Sequence, residues 1–384
     1  MDTLPDEILH LILSYLNIKT LLPLCTISRE FAKFYRTNLH SLVYDNVSHR
    51  TRFDLKDYDI KRLLRLNKYL FKYNNIATGA SHALISTEGG QMYSYGYNKY
   101  GQLGLSDTST SYRSVPELIS NLQHIIQIST MHDFSLILVK TGEVYGFGAN
   151  NSGQLGLRLD SNDKFIPTLI PCVSNICYVS AGSYHALLLL NNEGQVYVYG
   201  CNTNGQLGLG DNYNRVAAKL NPNLYNVVSI SAGYDHSLVL TSEGQVYAFG
   251  INRSGQLGLN HTNDINVPLL IPDIRKIAYI SAGGYYSAFL TVHECVYVCE
   301  CIRSMSMMQP ILLHHINDIV QISSGIWEPI MILSNGNIMG FGEPNNKIEQ
   351  HRRDIVQISG HVYLTDEGRV YIHDVMFIEL ETQS

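Results

Sequence analysis

The chain has 384 residues, a formal net charge of −6, 45% hydrophobic residues and 16% charged residues. This composition is typical of a globular protein and excludes a chain that stays disordered. The acidic balance argues against a nucleic-acid partner spread over the whole surface, and no stretch approaches the roughly 20 apolar residues of a membrane span.

Residues 1–40 predict three short helices. Pro5 suits the first position of a helix whose apolar stripe follows at helical spacing. The stripe consists of Ile8, Leu9, Ile12, Leu13 and Leu16. A second helix is expected after Thr20 and a third after Ser28. Helices this short cannot bury much core alone, so we expect a partner to complete the module.

Residues 41–75 form a predicted basic helical linker. Arg50 to Lys72 is rich in Lys and Arg, and residues 61–72 fit an amphipathic basic helix. The simplest interpretation is a helix with a solvated charged face packed on the next domain. A contact with nucleic acid or with an acidic membrane face is the alternative.

From residue 76 onward the sequence repeats itself. The block Gly-x-Asn-x-x-Gly-Gln-Leu-Gly-Leu begins at Gly96, Gly148, Gly200 and Gly250, so its spacing is 52, 52 and 50 residues. A period of this length indicates an array of one supersecondary unit. Such arrays commonly present a binding surface, which favours recognition over catalysis.

Each repeat also contains a predicted β-hairpin. In the clearest copy, His236, Leu238 and Leu240 alternate, the chain turns at Glu243-Gly244-Gln245, and Val246 to Gly250 follows. Seven copies start near Ile76, Ile128, Val179, Ile230, Ile280, Ile322 and Ile358. Residues 76–384 therefore predict a mainly β fold, a seven-bladed β-propeller, with trimmed loops in blades six and seven. In the fifth unit the Gly-rich block is degenerate, over Glu300 to Met308.

The Gly-rich block is interpreted as turn chemistry. Gly101 and Gly104 are expected to adopt positive φ, and Asn98, Asn150, Asn202 and Asn252 to tolerate the left-handed region and bond to the backbone. A phosphate-binding loop is disfavoured, because no Lys-Ser/Thr follows and no helix begins there.

No catalytic, cofactor or metal site is expected. His82, His185 and His236 share a repeat position with Phe134 and Tyr286, which indicates a packing position with an optional hydrogen bond. Cys295, Cys299 and Cys301 lie on one face of a predicted strand, without the paired spacing of a metal site. We therefore expect a protein that is not itself an enzyme.

The repeat motifs resemble those of the regulator of chromosome condensation. The resemblance rests on Ala-Gly-x-x-His-x-Leu, Val-Tyr-x-x-Gly and the Gly-rich block, and extends from Ile76 to the C-terminus, more weakly after Leu259. Kelch repeats are disfavoured because Trp327 is the one tryptophan. The founding member of the family is an exchange factor for a small GTPase, so guanine-nucleotide exchange is one functional alternative.

The N-terminal string Leu-Pro-Asp-Glu-Ile-Leu, with Thr-Leu-Leu and Ser-Arg-Glu-Phe after it, resembles an F-box. The resemblance implies binding to the Skp-type adaptor of a cullin-RING ubiquitin ligase. It assigns adaptor binding to Leu4, Pro5, Glu7, Ile8, Leu9, Ile12, Leu16, Leu21 and Leu22. An ordinary helical cap on the propeller is the alternative.

Together the two resemblances imply a substrate receptor, with the F-box on the adaptor and the propeller on an unidentified target protein. The target site is expected on loops at Ser106–Gln127, Arg158–Tyr178, Gly210–Ser229 and Asn260–Tyr279. A propeller for protein interaction without a ubiquitin role remains a third alternative. The seven cysteines and the interrupted N-terminal apolar stretch predict an intracellular location, cytoplasmic or nuclear, in a eukaryotic cell or in the host of a virus.

Overall fold

The computed structural model describes residues 76–379, except for short gaps at 88–89, 108–110, 121, 159, 192–193, 303–304, 307, 314–318, 325–328, 334–337, 341–347, 350–354, 360–361, 366–368 and 373–374. The predicted F-box helices, the linker helix and all nine predicted adaptor-binding residues lie outside the described residues. The described part is mainly β and forms seven antiparallel sheets, each from consecutive strands. Within it, no helix has the length and apolar character needed to cross a membrane.

The sheets are numbered 1 to 7 in chain order, and the first four have four strands each. Sheet 1 contains β1 (Ile76–Thr78), β2 (His82–Ser86), β3 (Met92–Tyr97) and β4 (Tyr112–Ile119). Sheet 2 contains β5 (Ile125–Thr130), β6 (Phe134–Val139), β7 (Val144–Gly148) and β8 (Lys164–Leu169). Sheet 3 contains β9 (Ile176–Ala181), β10 (His185–Leu190), β11 (Val196–Gly200) and β12 (Arg215–Leu220). Sheet 4 contains β13 (Val227–Ala232), β14 (His236–Thr241), β15 (Val246–Gly250) and β16 (Ile265–Leu270).

The remaining sheets follow the same order, and sheet 5 has an extra strand. Sheet 5 contains β17 (Ile277–Ala282), β18 (Tyr286–Thr291), β19 (Val296–Ile302), β20 (Met305–Ser306) and β21 (Ile311–Leu312), with β19 paired to both β20 and β21. Sheet 6 contains β22 (Ile319–Ser324), β23 (Pro329–Leu333), β24 (Ile338–Gly340) and β25 (Ile348–Glu349). Sheet 7 contains β26 (Ile355–Ser359), β27 (Val362–Thr365), β28 (Arg369–Ile372) and β29 (Val375–Glu379).

Sheet 4 shows why the repeat folds as it does. Every residue of β14 is buried, and its partner β15 pairs in register from His236 opposite Gly250 to Leu240 opposite Val246. Gly244 closes the hairpin with φ +74°, and its amide donates to the carbonyl of Thr241 at 3.0 Å. The predicted hairpin is therefore confirmed, and glycine supplies the left-handed turn residue that the connection requires.

The hydrophobic cores lie between consecutive sheets. Leu238 and Leu240 of β14 pack in one cluster with Phe289 of sheet 5, whereas Val239 packs in another with Leu187 of sheet 3. Side chains alternate across a strand, so a strand that is buried along its whole length serves the interfaces on both of its faces. This explains why the second strand of each repeat lacks the alternation of a half-exposed strand.

Serine hydroxyls tie the first strands of neighbouring sheets together. The amide of Ala181 donates to Ser129 Oγ at 3.0 Å, and Ala232 donates to Ser180 Oγ at 2.9 Å. Ala282 donates to Ser231 Oγ in the same way, also at 2.9 Å. The first strand β1 also contacts β26 and β27 of sheet 7, so the first and last sheets are neighbours.

The Gly-rich block forms the connection from the third strand to the fourth. Gly101 and Gly104 have φ of +84° and +66°, which confirms their predicted role. The prediction for Asn98, Asn150, Asn202 and Asn252 was wrong in part, because none of the four has positive φ. The predicted bonding to the backbone is confirmed, because all four side chains accept from a backbone amide five residues later and so clamp the block onto itself. Asn202 Oδ1 accepts from the amide of Leu207 at 2.9 Å, and its Nδ2 donates to the carbonyl of Asp211 at 2.7 Å.

The four ranges predicted to be target-binding loops are not simply loops. Each contains the outermost strand of its sheet, namely β4, β8, β12 or β16. These strands have one exposed side and carry polar residues, so their sequences lack the apolar run of an inner strand. In sheet 7, β29 follows β28 after two residues, which is the trimmed connection expected there.

Candidate functional site

Tight turns join the first and second strands of the sheets. In sheets 1, 3, 4 and 5 the turn begins at a glycine, whereas sheet 2 has Met131 at that position. The amide of Gly233 donates to the carbonyl of His236 at 2.8 Å, which leaves Tyr234 and Asp235 at the tip of the turn. A Cβ on Gly233 would lie 2.4 Å from His236 Cε1 and 2.5 Å from the carbonyl oxygen of Gly283. Only glycine therefore allows the turns of sheets 4 and 5 to pack this closely.

Neighbouring turns are hydrogen-bonded through their backbones. Ala80 donates its amide to the carbonyl of His132 at 3.3 Å, Ser183 to Tyr234 at 3.3 Å, and Tyr234 to Gly283 at 3.1 Å. These bonds join the turns of sheets 1 and 2 and those of sheets 3, 4 and 5, and the ring contact between His132 and Tyr184 links the two groups into one arc. We define the turn surface as the six side chains His132, Asp133, Tyr184, Tyr234, Asp235 and Tyr285.

Aromatic rings run without a break along the turn surface. The ring centroids of Tyr184 and His132 are 5.3 Å apart, and those of His132 and Tyr234 are 6.1 Å apart. The Tyr234 and Tyr285 rings follow at 5.8 Å with an interplanar angle of 76°. The His132–Tyr184 pair is tilted at 42°, and the other two pairs meet edge to face, an arrangement that is favourable for aromatic rings. They hold four rings from four different sheets at one surface.

Two carboxylates stand among these rings, and each is held by the preceding Gly-rich block. Gln102 Nε2 donates to Asp133 Oδ1 at 3.1 Å, and Gln206 Nε2 donates to Asp235 Oδ1 at 3.0 Å. The second oxygen of Asp133 lies 2.8 Å from His132 Nδ1. The glutamine of Gly-Gln-Leu-Gly thus orients a carboxylate on the next sheet.

The remaining two glutamines meet tyrosine where the carboxylate would stand. Gln154, whose counterpart on the next sheet is Tyr184, turns to Asn151 Oδ1 at 3.3 Å. Gln256, whose counterpart is Tyr285, is fully buried, and its Nε2 has no hydrogen-bond partner. The position immediately before the first residue of the second strand is therefore occupied, in sheets 2 to 5, by Asp133, Tyr184, Asp235 and Tyr285.

The electrostatics of the turn surface follow from partial burial. Burial raises the pKa of Asp235, against the opposing effects of the Gln206 hydrogen bond and of His132. The hydrogen bond to Asp133 is the main cause that raises the pKa of His132. Burial is likewise the main cause that raises the pKa of Tyr184 and Tyr234, and both carboxylates add to the effect. Each of these shifts reflects negative charge that water solvates incompletely.

The repeated histidines are structural, as predicted. His185 is completely buried, and its Nε2 lies 2.9 Å from Ser237 Oγ of the next sheet. His82 pairs with Ser135 at 3.0 Å and His236 with Ser287 at 3.1 Å. Burial lowers the pKa of His82 and His236 to about 4 and that of His185 to about 3, so all three are neutral at pH 7.

The cysteines show no arrangement of metal ligands in the described part of the chain. Cys299 is buried in the core between sheets 4 and 5, and burial raises the pKa of its thiol. Cys295 is partly exposed beside the start of β19. Across the residues that the structure describes, no group of three His, Cys, Asp or Glu is placed to hold a metal ion.

The repeat is visible in the sequence, but the turn surface is not among the predictions made from it. The residues of the turn surface occupy the two variable positions of Ala-Gly-x-x-His and, in sheet 2, of the equivalent Thr-Met-x-x-Phe. An alignment of the repeats shows Asp and Tyr alternating at the second of these two positions. The role of the glutamine cannot be inferred from one repeat, because its hydrogen bond crosses to the next sheet.

Comparison with known families supports both modules. The family described as RCC1-like domain matches residues 49–301, and the family described as F-box-like matches residues 1–44. The probable E3 ubiquitin-protein ligase HERC4 of Homo sapiens is 35% identical over 151 residues, which are 38% of this chain and 14% of HERC4. The ultraviolet-B receptor UVR8 of Arabidopsis thaliana is 31% identical over 169 residues, which are 42% of this chain and 37% of UVR8. The matches span well under half the length of either relative.

Solved structures match the fold of the repeat region. Yeast RCC1 (Prp20), in its complex with Kap60, has a TM-score of 0.65 at 21% identity, covering 74% of this chain and 77% of that chain. Human WBSCR16 has a TM-score of 0.64 at 20% identity, covering 73% of this chain and 80% of that chain. Similarity at this level of identity shows a shared fold and carries no information about ligands.

Proposed function

This chain belongs to the RCC1-like domain family and carries an F-box-like domain, and from this pairing we propose that it is a substrate-recognition subunit of a cullin-RING ubiquitin ligase. The observation that carries the proposal is the presence of both domains in one chain, at residues 1–44 and 49–301. In this role the protein contributes proximity and not bond-making, because it holds a target near the transfer machinery.

In the proposed assembly the F-box binds a Skp-type adaptor. Its apolar residues, Leu9 and Ile12 among them, supply the contact, because buried apolar side chains dominate the energy of such interfaces. Such an interface would also supply the core that so short a module lacks. The assembly would operate inside a eukaryotic cell, where adaptor and cullin are available.

The propeller is the proposed receptor for the target protein. We propose that its seven described sheets are the seven blades of a closed ring, with the turn surface as part of the face presented to the target. A face built from turns of several blades can change its side chains without changing the sheets behind them. This property suits a receptor that must recognise one particular protein.

An adaptor-binding assay tests the proposal. Purified full-length chain is mixed with a purified Skp-type adaptor, and retention is compared between wild type, Leu9→Glu and Leu169→Glu. The control Leu169 lies on the outer strand β8 and is 46% exposed, so the same substitution there adds the same charge to a different surface. We expect wild type and Leu169→Glu to retain the adaptor and Leu9→Glu to lose it.

Failure of folded wild-type protein to retain the adaptor would refute the ubiquitin role. Nucleotide release from small GTPases would then test the exchange alternative. Absence of exchange as well would leave a propeller for protein interaction without either role.

A further inference from the structure

We propose that the turn surface binds a positively charged segment of the target protein, with an arginine or lysine side chain placed among its rings and carboxylates. This inference rests on the proposed function only in taking the ligand to be a target protein. The chemistry of the ligand is argued from the surface itself.

The carboxylates provide the first reason. Asp133 and Asp235 occupy the same repeat position of sheets 2 and 4, and each has one oxygen oriented by a glutamine amide. An ionised carboxylate offers about four acceptor positions. The second oxygen of Asp133 lies 2.8 Å from His132 Nδ1, so the acceptors that remain free are chiefly those of Asp235. Within the described residues Asp235 makes no ion pair. His132 and Arg253 both act on its charge without pairing with it, and Arg253 is 72% exposed and lies 3.4 Å from Asp264.

The rings provide the second reason. The faces of tyrosine rings attract a cation within about 6 Å, and guanidinium groups in particular stack on such faces. The four rings follow one another at 5.3 to 6.1 Å, and Tyr285 at the end of the row is 49% exposed. Rings and carboxylates together match a cationic side chain, and the carboxylates would repel a phosphate or a nucleic acid.

The buried amide of Gln256 provides an independent third reason. Gln256 occupies the repeat position from which Gln102 and Gln206 reach their carboxylates, yet its Nε2 has no acceptor, because Tyr285 stands in place of an aspartate. A buried donor without a partner costs about 1–3 kcal/mol. The fold carries this cost at the position where Tyr285 adds a ring to the surface. Natural proteins leave hydrogen-bonding groups unpaired mainly at functional sites, so the unpaired amide of Gln256 points to a function for Tyr285.

Peptide binding tests the proposal. The probe is a short fluorescein-labelled peptide of alternating arginine and serine, and its comparison is the same peptide with citrulline, which keeps the shape and removes the charge. Fluorescence anisotropy is measured with the full chain as wild type, Asp133→Asn/Asp235→Asn and Glu243→Gln. Asparagine can still accept the glutamine hydrogen bonds, so the turns should keep their geometry.

The control Glu243 lies at the other end of β14, in the turn that joins it to β15. We expect the arginine peptide to bind wild type at least tenfold more tightly than the citrulline peptide. The double variant should lose at least tenfold, and Glu243→Gln should lose less than twofold. Equal affinity for both peptides, no binding to wild type, or an equal loss in Glu243→Gln would overturn the proposal.

The adaptor assay keeps the two proposals separate. Leu9→Glu should bind the arginine peptide as tightly as wild type does. If wild type fails to bind the adaptor while the charge-dependent binding remains, the ubiquitin role is refuted and the cationic site is retained. If the adaptor binds while the double variant retains full peptide affinity, the cationic site is refuted and the ubiquitin role is retained.

Discussion

The amide nitrogen of Thr78 in sheet 1 donates a hydrogen bond to Ser359 Oγ in sheet 7, with a distance of 3.0 Å between the two atoms. The bond has the same form as those that Ser129, Ser180 and Ser231 accept from the sheet that follows each of them. The last sheet therefore meets the first through the contact that joins consecutive sheets. The two hydroxyls of this pair are also 3.0 Å apart.

Replacing Ser359 tests whether this contact closes a ring in solution. Ser359→Ala should lower the free energy of unfolding by about 1 kcal/mol, because a part-buried hydrogen bond to a backbone amide is lost. Urea unfolding followed by circular dichroism measures the change, with Ser111→Ala at an exposed serine as the control. A Ser359→Ala variant as stable as this control would show that sheets 1 and 7 are not joined.

The buried histidines predict a loss of stability in acid. His82, His185 and His236 have folded-state pKa values of about 4, 3 and 4, well below the ordinary value of 6.5, because burial disfavours the charged ring. The unfolded chain therefore binds more protons below pH 6.5. Their stabilising contribution is complete above pH 6.5 and falls as the pH drops toward 4, by on the order of 3 kcal/mol for each histidine.

A paired substitution separates this effect from general acid unfolding. Sheets 2 and 3 have Phe134 and Ala186 where other neighbouring sheets have a histidine and a serine, and these two residues share one core cluster. His185→Phe/Ser237→Ala copies that pair into sheets 3 and 4. Urea unfolding at pH 7 and pH 4.5 should show a smaller difference for this variant than for wild type. The same difference in stability between pH 7 and pH 4.5 in both proteins would show that protonation of His185 does not contribute to the loss of stability in acid.

The unpaired amide of Gln256 predicts a stabilising substitution. Tyr285→Asn would supply a neutral acceptor where Gln102 and Gln206 find a carboxylate, and we expect a gain of about 1 kcal/mol. The same variant should bind the arginine peptide more weakly, because it lacks the ring. Tyr213→Asn, at a tyrosine that is 76% exposed, is the matched control. Lower stability of Tyr285→Asn than of this control would contradict the assignment.

The asparagine side chains that clamp the Gly-rich block should contribute strongly to the stability of the fold. Asn202→Ala removes a fully buried side chain that accepts from Leu207 and donates to Asp211. One buried and one part-buried backbone group then lose their partner, so we expect a loss of about 2–4 kcal/mol. Asn204→Ala, two residues away in the same turn, should change the stability by less than about 0.5 kcal/mol. Thermal unfolding of both variants provides the comparison.

The inner strands were predictable from the sequence, whereas the outer strands were not. The strand His236–Thr241 has the continuous apolar run Leu238 to Leu240 and is followed by a Glu-Gly turn, so local sequence determines it. The strand Lys164–Leu169 is half-exposed and includes Pro167, and it forms because β7 offers it a free edge. Pairing with a neighbour that is already folded leaves a weak signal in the sequence itself.

The turn surface was beyond the sequence for a different reason. Its members come from four sheets, and the link between Gln206 and Asp235 crosses a sheet boundary. A pattern within one repeat cannot show which neighbour a side chain meets. The hydrogen bond between Thr78 and Ser359, separated by 281 positions, likewise joins residues of different sheets that no single repeat relates.

The most direct test of the central claim measures the mass of the complex with the adaptor. Full-length chain of 43.2 kDa is mixed with a purified Skp-type adaptor and passed over a sizing column with light-scattering detection. The account predicts one adaptor per chain for wild type and for Leu169→Glu, and free chain alone for Leu9→Glu. Folded wild-type protein that elutes alone at 43.2 kDa, or a Leu9→Glu variant that still carries the adaptor, would contradict it.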